Sequence, residues 1–191
     1  MDLKRSLFDG KLVCLAPIDP DKDSEIESKW THDSEYLTLV DLQPARPLSP
    51  AQVKKGYEKI EKHVEEDKNL FYFTLRTMPE ERLVGFARIY HVSWSHATGM
   101  LQLGIGDPGD RRRGFGSEGP ELLLRYAFTE LNLNRVTLTV FEYNPRAIRS
   151  YEKAGFVLEG RELKSLLRGG NRWDVIFMGV LREEWLRQNP V

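Results

Sequence analysis

The chain has 191 residues, 40% of them hydrophobic, which is enough to bury a sizeable core as one unit. With 28 basic and 29 acidic residues the formal net charge is −1, which argues against a chain built to hold nucleic acid or an anionic membrane. A single cysteine, Cys14, excludes an intramolecular disulfide and fits a reducing, cytoplasmic setting; no stretch has the length of a membrane span, and "MDLKRSLFDG" does not read as a signal peptide.

In chain order, "KLVCLAPI" (Lys11 to Ile18) is apolar and runs into "DPDKD", a strand followed by a turn. Asp23 or Ser24 is expected to cap a helix through Ile26 and Trp30. His32, Asp33, Glu35, Tyr36 and Asp41 follow, read either as solvated charge or as an attraction for a cationic amine, and "LQPARPLSP" is a proline-punctuated loop. Ser49 with Pro50 behind it opens a second helix, along which Val53, Tyr57, Ile60 and Val64 recur at helical spacing. "LFYFTLRT" and "RLVGFARIYHVSW" flank "MPEE" as a hairpin, and "TGMLQLGIG" is a third neighbouring strand interrupted by glycines. Leu122, Leu123, Tyr126, Ala127 and Leu131 mark another helix, and "RVTLTVF" is a buried strand. "NPRAIRSYEKAG" is a short helix stopped at Gly155, and two last strands, "FVLEGRELKSLLR" and "RWDVIFMGVL", turn at "GGN". No repeat or linker divides the chain, so one mixed α/β domain over residues 1–191 is expected.

The segment that stands out is "DPGDRRRGFGSEG", Asp107 to Gly119, between a strand and a helix. Three readings compete: a solvated loop, a nucleic-acid contact and a phosphate cradle. A helix start offers unpartnered N–H groups with partial positive charge, glycine lets an anion approach the backbone, and arginine adds charge-assisted bonds. Nucleic-acid binding has little support, because no aromatic residues interleave with the three arginines. The turn lacks the Gly-Lys-Ser/Thr ending of a P-loop and the third glycine of a dinucleotide fingerprint.

Arg111, Gly114 and Gly116 do fill the pattern Gln/Arg-x-x-Gly-x-Gly/Ala. Together with "LGIGD", "LLLRYAFTELNLNRVTLTV", "NPRAIRSYEKAGFVLEGRELK" and "WDVIFMGVLREEW", it resembles the GNAT acetyltransferases, most closely the ribosomal-protein N-terminal and spermidine acetyltransferases. The resemblance is strongest over residues 83–185. It implies a mixed, mostly antiparallel sheet of about seven strands flanked by helices and splayed near its centre. Acetyl-CoA would be the cosubstrate, a small-molecule amine or a protein N-terminus the acceptor, and the terminal strands a homodimer interface by analogy. The strand end Gly104, Ile105 and Gly106 would pair with the pantetheine arm, the glycines leaving room for it. The loop Arg111, Arg112, Arg113, Gly114, Phe115, Gly116 and Ser117 would hold the pyrophosphate, Asn144 would bond the cofactor near its amide end, and Tyr151 would stand near the sulfur. Gly119-Pro120 departs from the pattern and implies a helix that starts late, near Pro120, or is kinked there.

A phenol with a pKa near 10 can hydrogen-bond or protonate a departing thiolate whose thiol titrates near 8.5, a contribution of roughly 10²–10⁴-fold. The attacking amine must also lose a proton, and no base is assigned. Thr139 stands where some relatives have Glu, Glu142 is the nearest carboxylate or simply a strand-end charge, and Gln102 can only orient water. His32, His63, His91 and His96 form no metal-type group with Cys14, so no metal is expected, and Trp30 and Trp173 either pack or line an acceptor pocket. Cys14 lends no support to a covalent acetyl-enzyme. A noncatalytic acyl-CoA sensor on the same fold is the rival reading.

Overall fold

The computed structural model describes residues 6–189, so the first five residues of the "MDLKRSLFDG" segment lie outside it. The first strand, β1 (Val13–Ala16), buries Val13, Cys14 and Leu15. The helix behind it, α1 (Pro20–Trp30), starts ahead of both expected caps, Asp23 and Ser24. Asp19 is the N-cap and accepts from the Lys22 N–H, with Pro20 at the first helical position. Asp23 lies inside the helix, fully buried, because both of its oxygens meet the Arg76 guanidinium at 2.8 Å. A second short helix, α2 (Ser34–Val40), occupies the acidic stretch, to which the sequence assigned no element, with Asp33 capping it by accepting the Glu35 N–H. The next helix, α3 (Pro50–Asp67), begins as expected, with Ser49 and Gln52 closing a capping box.

The hairpin strands are β2 (Phe71–Thr77) and β3 (Leu83–Ser93), and β4 (Thr98–Ile105) pairs antiparallel to β3. A 3-10 turn, Pro108–Asp110, leads to α4 (Phe115–Thr129), then β5 (Arg135–Phe141) and α5 (Pro145–Lys153). The long hairpin β6 (Val157–Arg168) and β7 (Asn171–Leu181) turns on Gly169 and Gly170, both at positive φ, and α6 (Arg182–Gln188) follows, an element the sequence did not announce. Gly155, at φ +100°, closes α5 as expected: its N–H reaches the Glu152 carbonyl while Phe156 N–H reaches that of Tyr151.

The strands form one seven-stranded sheet in the order β1-β2-β3-β4-β5-β7-β6. Every neighbouring pair is antiparallel except β4 and β5, which run parallel. That parallel pair holds only from Thr98 to Met100 against Arg135 to Thr137, and beyond it the strands part. Helix α4 seals the core, burying Leu122, Leu123, Leu124, Ala127 and Phe128 among Leu75, Ile89, Leu101, Leu138 and Met178. The helix does not start late: it runs from Phe115 through Pro120. Proline has no N–H for the Gly116 carbonyl four residues back, and the Ser150 hydroxyl of α5 donates to that carbonyl instead.

Among the described residues no helix is long and apolar enough to cross a membrane, and no group of His, Cys, Asp and Glu is arranged to hold a metal ion.

Candidate active site

Where β4 and β5 part, a cleft of about 610 Å³ opens, bounded by α2, the loop before α4, and α5. Along it β4 from Leu101 to Ile105 has no strand partner on its β5 side, so backbone groups there can receive an extended ligand as an added strand. Gly104 and Ile105 line the cleft; Gly106 does not. The expected reason for these glycines is corrected by their surroundings. A Cβ on Gly104 would meet the Phe86 ring at 2.6 Å, and one on Gly106 would meet the Trp30 ring at 1.9 Å. They make room for the chain's own aromatic residues, on the face where Trp30, Tyr36, Leu83 and Phe86 form a small second core.

The start of α4 is open. Gly114 is its N-cap at φ +91°, a left-handed conformation that glycine adopts freely, and no side chain caps the helix. The N–H groups of Phe115 and Gly116 therefore lack helical partners, while that of Ser117 folds back on the Gly114 carbonyl. The helix start is braced from behind: Glu118 accepts the N–H groups of Lys11, Leu12 and Val13 at 2.7, 2.7 and 2.8 Å.

The three arginines divide. Arg112 is exposed, lines the cleft and has no ion pair among the described residues. Arg111, expected at the phosphates, turns to α2: it meets Asp33 at 2.6 Å, Glu35 at 2.8 Å and the Gly106 carbonyl at 3.1 Å, with only 10% of its side chain exposed. Arg113 lies 3.2 Å from Asp110 and over the ring of Phe115; Phe115 belongs to the core, and neither Arg113 nor Phe115 lines the cleft. Arg82 holds Asp110 at 2.7 Å through both oxygens, and this guanidinium keeps the Asp110 carboxyl below the usual carboxylate range. Asp33 and Glu35, read as an attraction for an amine, are thus engaged by Arg111, with Arg146 also on Glu35 at 2.8 Å.

On the α5 side, Asn144, Ser150 and Tyr151 line the cleft. The Asn144 carboxamide oxygen caps α5 by accepting the Ala147 N–H at 3.2 Å. Tyr151 is held edge-on against Phe156, ring centres 5.8 Å apart, and its hydroxyl has no protein partner among the described residues. Burial pushes the phenol up to about 12.

The base candidates fare poorly. Glu142 accepts the Asp174 N–H at 3.0 Å, faces Arg161 at 3.6 Å and does not line the cleft. Gln102 and Thr139 do line it, but Gln102 accepts from Arg88 and donates to the Val40 carbonyl, both at 2.7 Å. None of the four histidines borders the cleft: His63 bonds Asn69 at the surface and His91 packs on Tyr90. Trp30 packs edge-on to Tyr36, and Trp173 packs against Tyr143 and donates to the Arg168 carbonyl. Cys14 is buried in β1 away from the cleft, and its thiol is pushed up mainly by burial. Sequence reasoning missed Arg88 and Tyr90 on β3, Leu39 and Val40 at the end of α2, and Arg149 and Lys153 on α5, all of which line the cleft, whereas Tyr36 and Asp41 of the acidic stretch it singles out do line it. An arginine inside the apolar run "LVGFARIYHV" was the available signal.

Residues 13–157 match the model of the acetyltransferase (GNAT) domain, and the chain belongs to the GNAT acetyltransferase family. Among relatives, it is 30% identical over 135 residues to a probable N-acetyltransferase of Bacillus subtilis, YjcK, covering 69% of this chain and 72% of that protein. It is also 30% identical over 110 residues to the spermidine N(1)-acetyltransferase of Vibrio cholerae, covering 58% of this chain and 63% of the relative. A spermidine N-acetyltransferase from Vibrio cholerae, solved with CoA and spermine, shares the fold at a TM-score of 0.78 and 24% identity, over 91% of this chain and 98% of that one.

Proposed function

We propose that the protein transfers an acetyl group from acetyl-CoA to a primary amine within a ternary complex, in the cytoplasm. The observation that carries this reading is the juxtaposition of an uncapped helix start and an unpaired strand edge on one cleft, with the Tyr151 phenol on its wall. The N–H groups of Gly114, Phe115 and Gly116, with Arg112, suit a pyrophosphate; Gly104 and Ile105 offer backbone to a pantetheine arm; Asn144 adds a polar group beside it.

In the reaction the neutral amine attacks the thioester carbonyl and a thiolate departs. With the phenol held near 12, full proton transfer to a thiolate whose thiol titrates near 8.5 is uphill by about 3.5 units, roughly 5 kcal/mol. The role that fits Tyr151 is therefore a hydrogen-bond donor to the developing thiolate, protonated throughout the working range. The carboxylates that line the cleft are Asp110, engaged by arginine, and Asp41 at its exposed rim, so the amine's proton leaves through water.

The experiment is thiol release from acetyl-CoA with a panel of amines, beside calorimetry of CoA binding. Saturable binding with turnover of at least one amine supports transfer. Saturable binding without release across the panel favours the noncatalytic sensor. A homodimer through the terminal hairpin is supported by the exposed apolar side chains Val157, Leu158, Leu163, Leu167 and Phe177, of which Leu163 is 74% exposed. Light scattering that gives twice the chain mass, reduced to one chain mass by Leu163→Asp, would support it; a monomer at high concentration would refute it.

A further inference from the structure

We propose that the acceptor is a small amine that carries a carboxylate, an amino-acid-like molecule, and that Arg88 is the residue that selects it. This narrows the N-acetyltransferase reading and rests on it.

Arg88 is the middle of a row that crosses the sheet, paired in register with Tyr72 on β2 and Gln102 on β4. Its Nε donates to the Gln102 oxygen at 2.7 Å, and Gln102 in turn donates to the Val40 carbonyl at the end of α2. The guanidinium also lies 4.8 Å from the centre of the Tyr90 ring. These holds fix its plane at the α2 end of the cleft, away from the cradle made by the start of α4. What they leave over is the fork: among the described residues no acceptor meets either Nη, and no carboxylate pairs with Arg88, although Arg88 lines the cleft. Glu27, the buried carboxyl of α1, is taken by the Tyr57 hydroxyl. A half-buried guanidinium held by its Nε with its fork unoccupied matches a carboxylate, which it can bind through two parallel bonds.

The charge of the wall points the same way. Arg88, Arg112, Arg149 and Lys153 line the cleft with no ion pair among the described residues, while Arg111 and Arg146 on the same wall are engaged by Asp33 and Glu35; the carboxylates on the wall are Asp41 and Asp110. Asp110 is paired with Arg82 and Arg113, which leaves exposed Asp41 to favour an ammonium group. A polyamine with several positive charges would meet unbalanced cations on such a wall. A zwitterion would meet a partner for each end.

The test is CoA release with the proteinogenic amino acids, each beside its carboxamide and its decarboxylated amine, and with spermidine. The expected result is a kcat/KM at least about tenfold higher for one or more amino acids than for the matched carboxamide and amine, because a site built for a polar group rejects the analogue that lacks it. Arg88→Gln should erase that ratio and Arg88→Lys should keep part of it, both with an unchanged CoA dissociation constant as the sign of an intact fold. Equal turnover of the three matched compounds, faster turnover of spermidine, or an unchanged ratio in Arg88→Gln would overturn this proposal and leave N-acetyl transfer standing. CoA binding with no release by any amine would overturn both.

Discussion

The two ends of the cleft are built from different materials. At the α4 end the contacts on offer are backbone N–H groups, exposed by a left-handed glycine at position 114 and an absent side-chain cap. At the α2 end they are side chains held by other side chains: Arg88 by Gln102, and α2 itself by Arg111 through Asp33 and Glu35. A backbone site depends on local conformation and tolerates changes in the residues it carries. A side-chain site depends on partners distant in the chain and is easily retuned, which suits the end that must distinguish one amine from another.

If this division is right, substitutions at the two ends should fail in different ways. The largest effect is expected from the group between them. Tyr151→Phe should lower kcat about 100-fold while leaving CoA affinity nearly unchanged, as steady-state kinetics and calorimetry would report. At the cradle, Gly114→Val forces a β-branched residue to φ +91° and puts its Cβ 2.8 Å from Leu12. CoA affinity should fall at least tenfold and stability by about 1–3 kcal/mol, with the KM for the amine little altered. At the other end, Arg111→Gln should release α2 from the loop: the KM for the amine should rise several-fold while the CoA dissociation constant changes less than twofold. Equal losses of both affinities would break the comparison.

The pH profile sharpens it. The phenol of Tyr151 is raised to about 12, so it stays protonated and causes no alkaline loss of activity below about pH 11. With no free base in the inner cleft, kcat/KM should instead climb tenfold per pH unit until the acceptor's own amine is neutral. A plateau near neutrality would reveal a base in the protein. The smallest effect concerns α4. Ser150→Ala leaves the Gly116 carbonyl without its donor and should cost about 1 kcal/mol by denaturant unfolding. In a Pro120→Ala background the restored N–H can serve that carbonyl, and the cost of Ser150→Ala should shrink by half or more.

What the sequence disclosed follows the same line. Local signals were readable: Ser49-Pro50 at a helix start, Gly155 at a helix end, Gly169-Gly170 at a hairpin, and the glycine turn ahead of α4. Each concerns backbone conformation and needs only a few adjacent residues. The destination of Arg111 was not readable, because it depends on α2 passing nearby, and the partners Asp33 and Glu35 lie 78 and 76 positions away. Helix α2 has only seven residues, too few for a clear period. Gly104 and Gly106 read as leaving room for a bound arm, and sequence could not say that the Phe86 and Trp30 rings were what approached them. Asp23 resembled a helix cap until Arg76, from a strand 53 positions on, claimed it.

The central claim is that backbone N–H groups at the start of α4 hold the diphosphate of the coenzyme. Its most direct test is a titration with CoA followed through the amide resonances of isotope-labelled protein. The account predicts that the N–H signals of Gly114, Phe115 and Gly116 move most, downfield and in step with saturation, and that CoA lacking the diphosphate leaves them in place. Saturable binding that leaves those three signals still would contradict it.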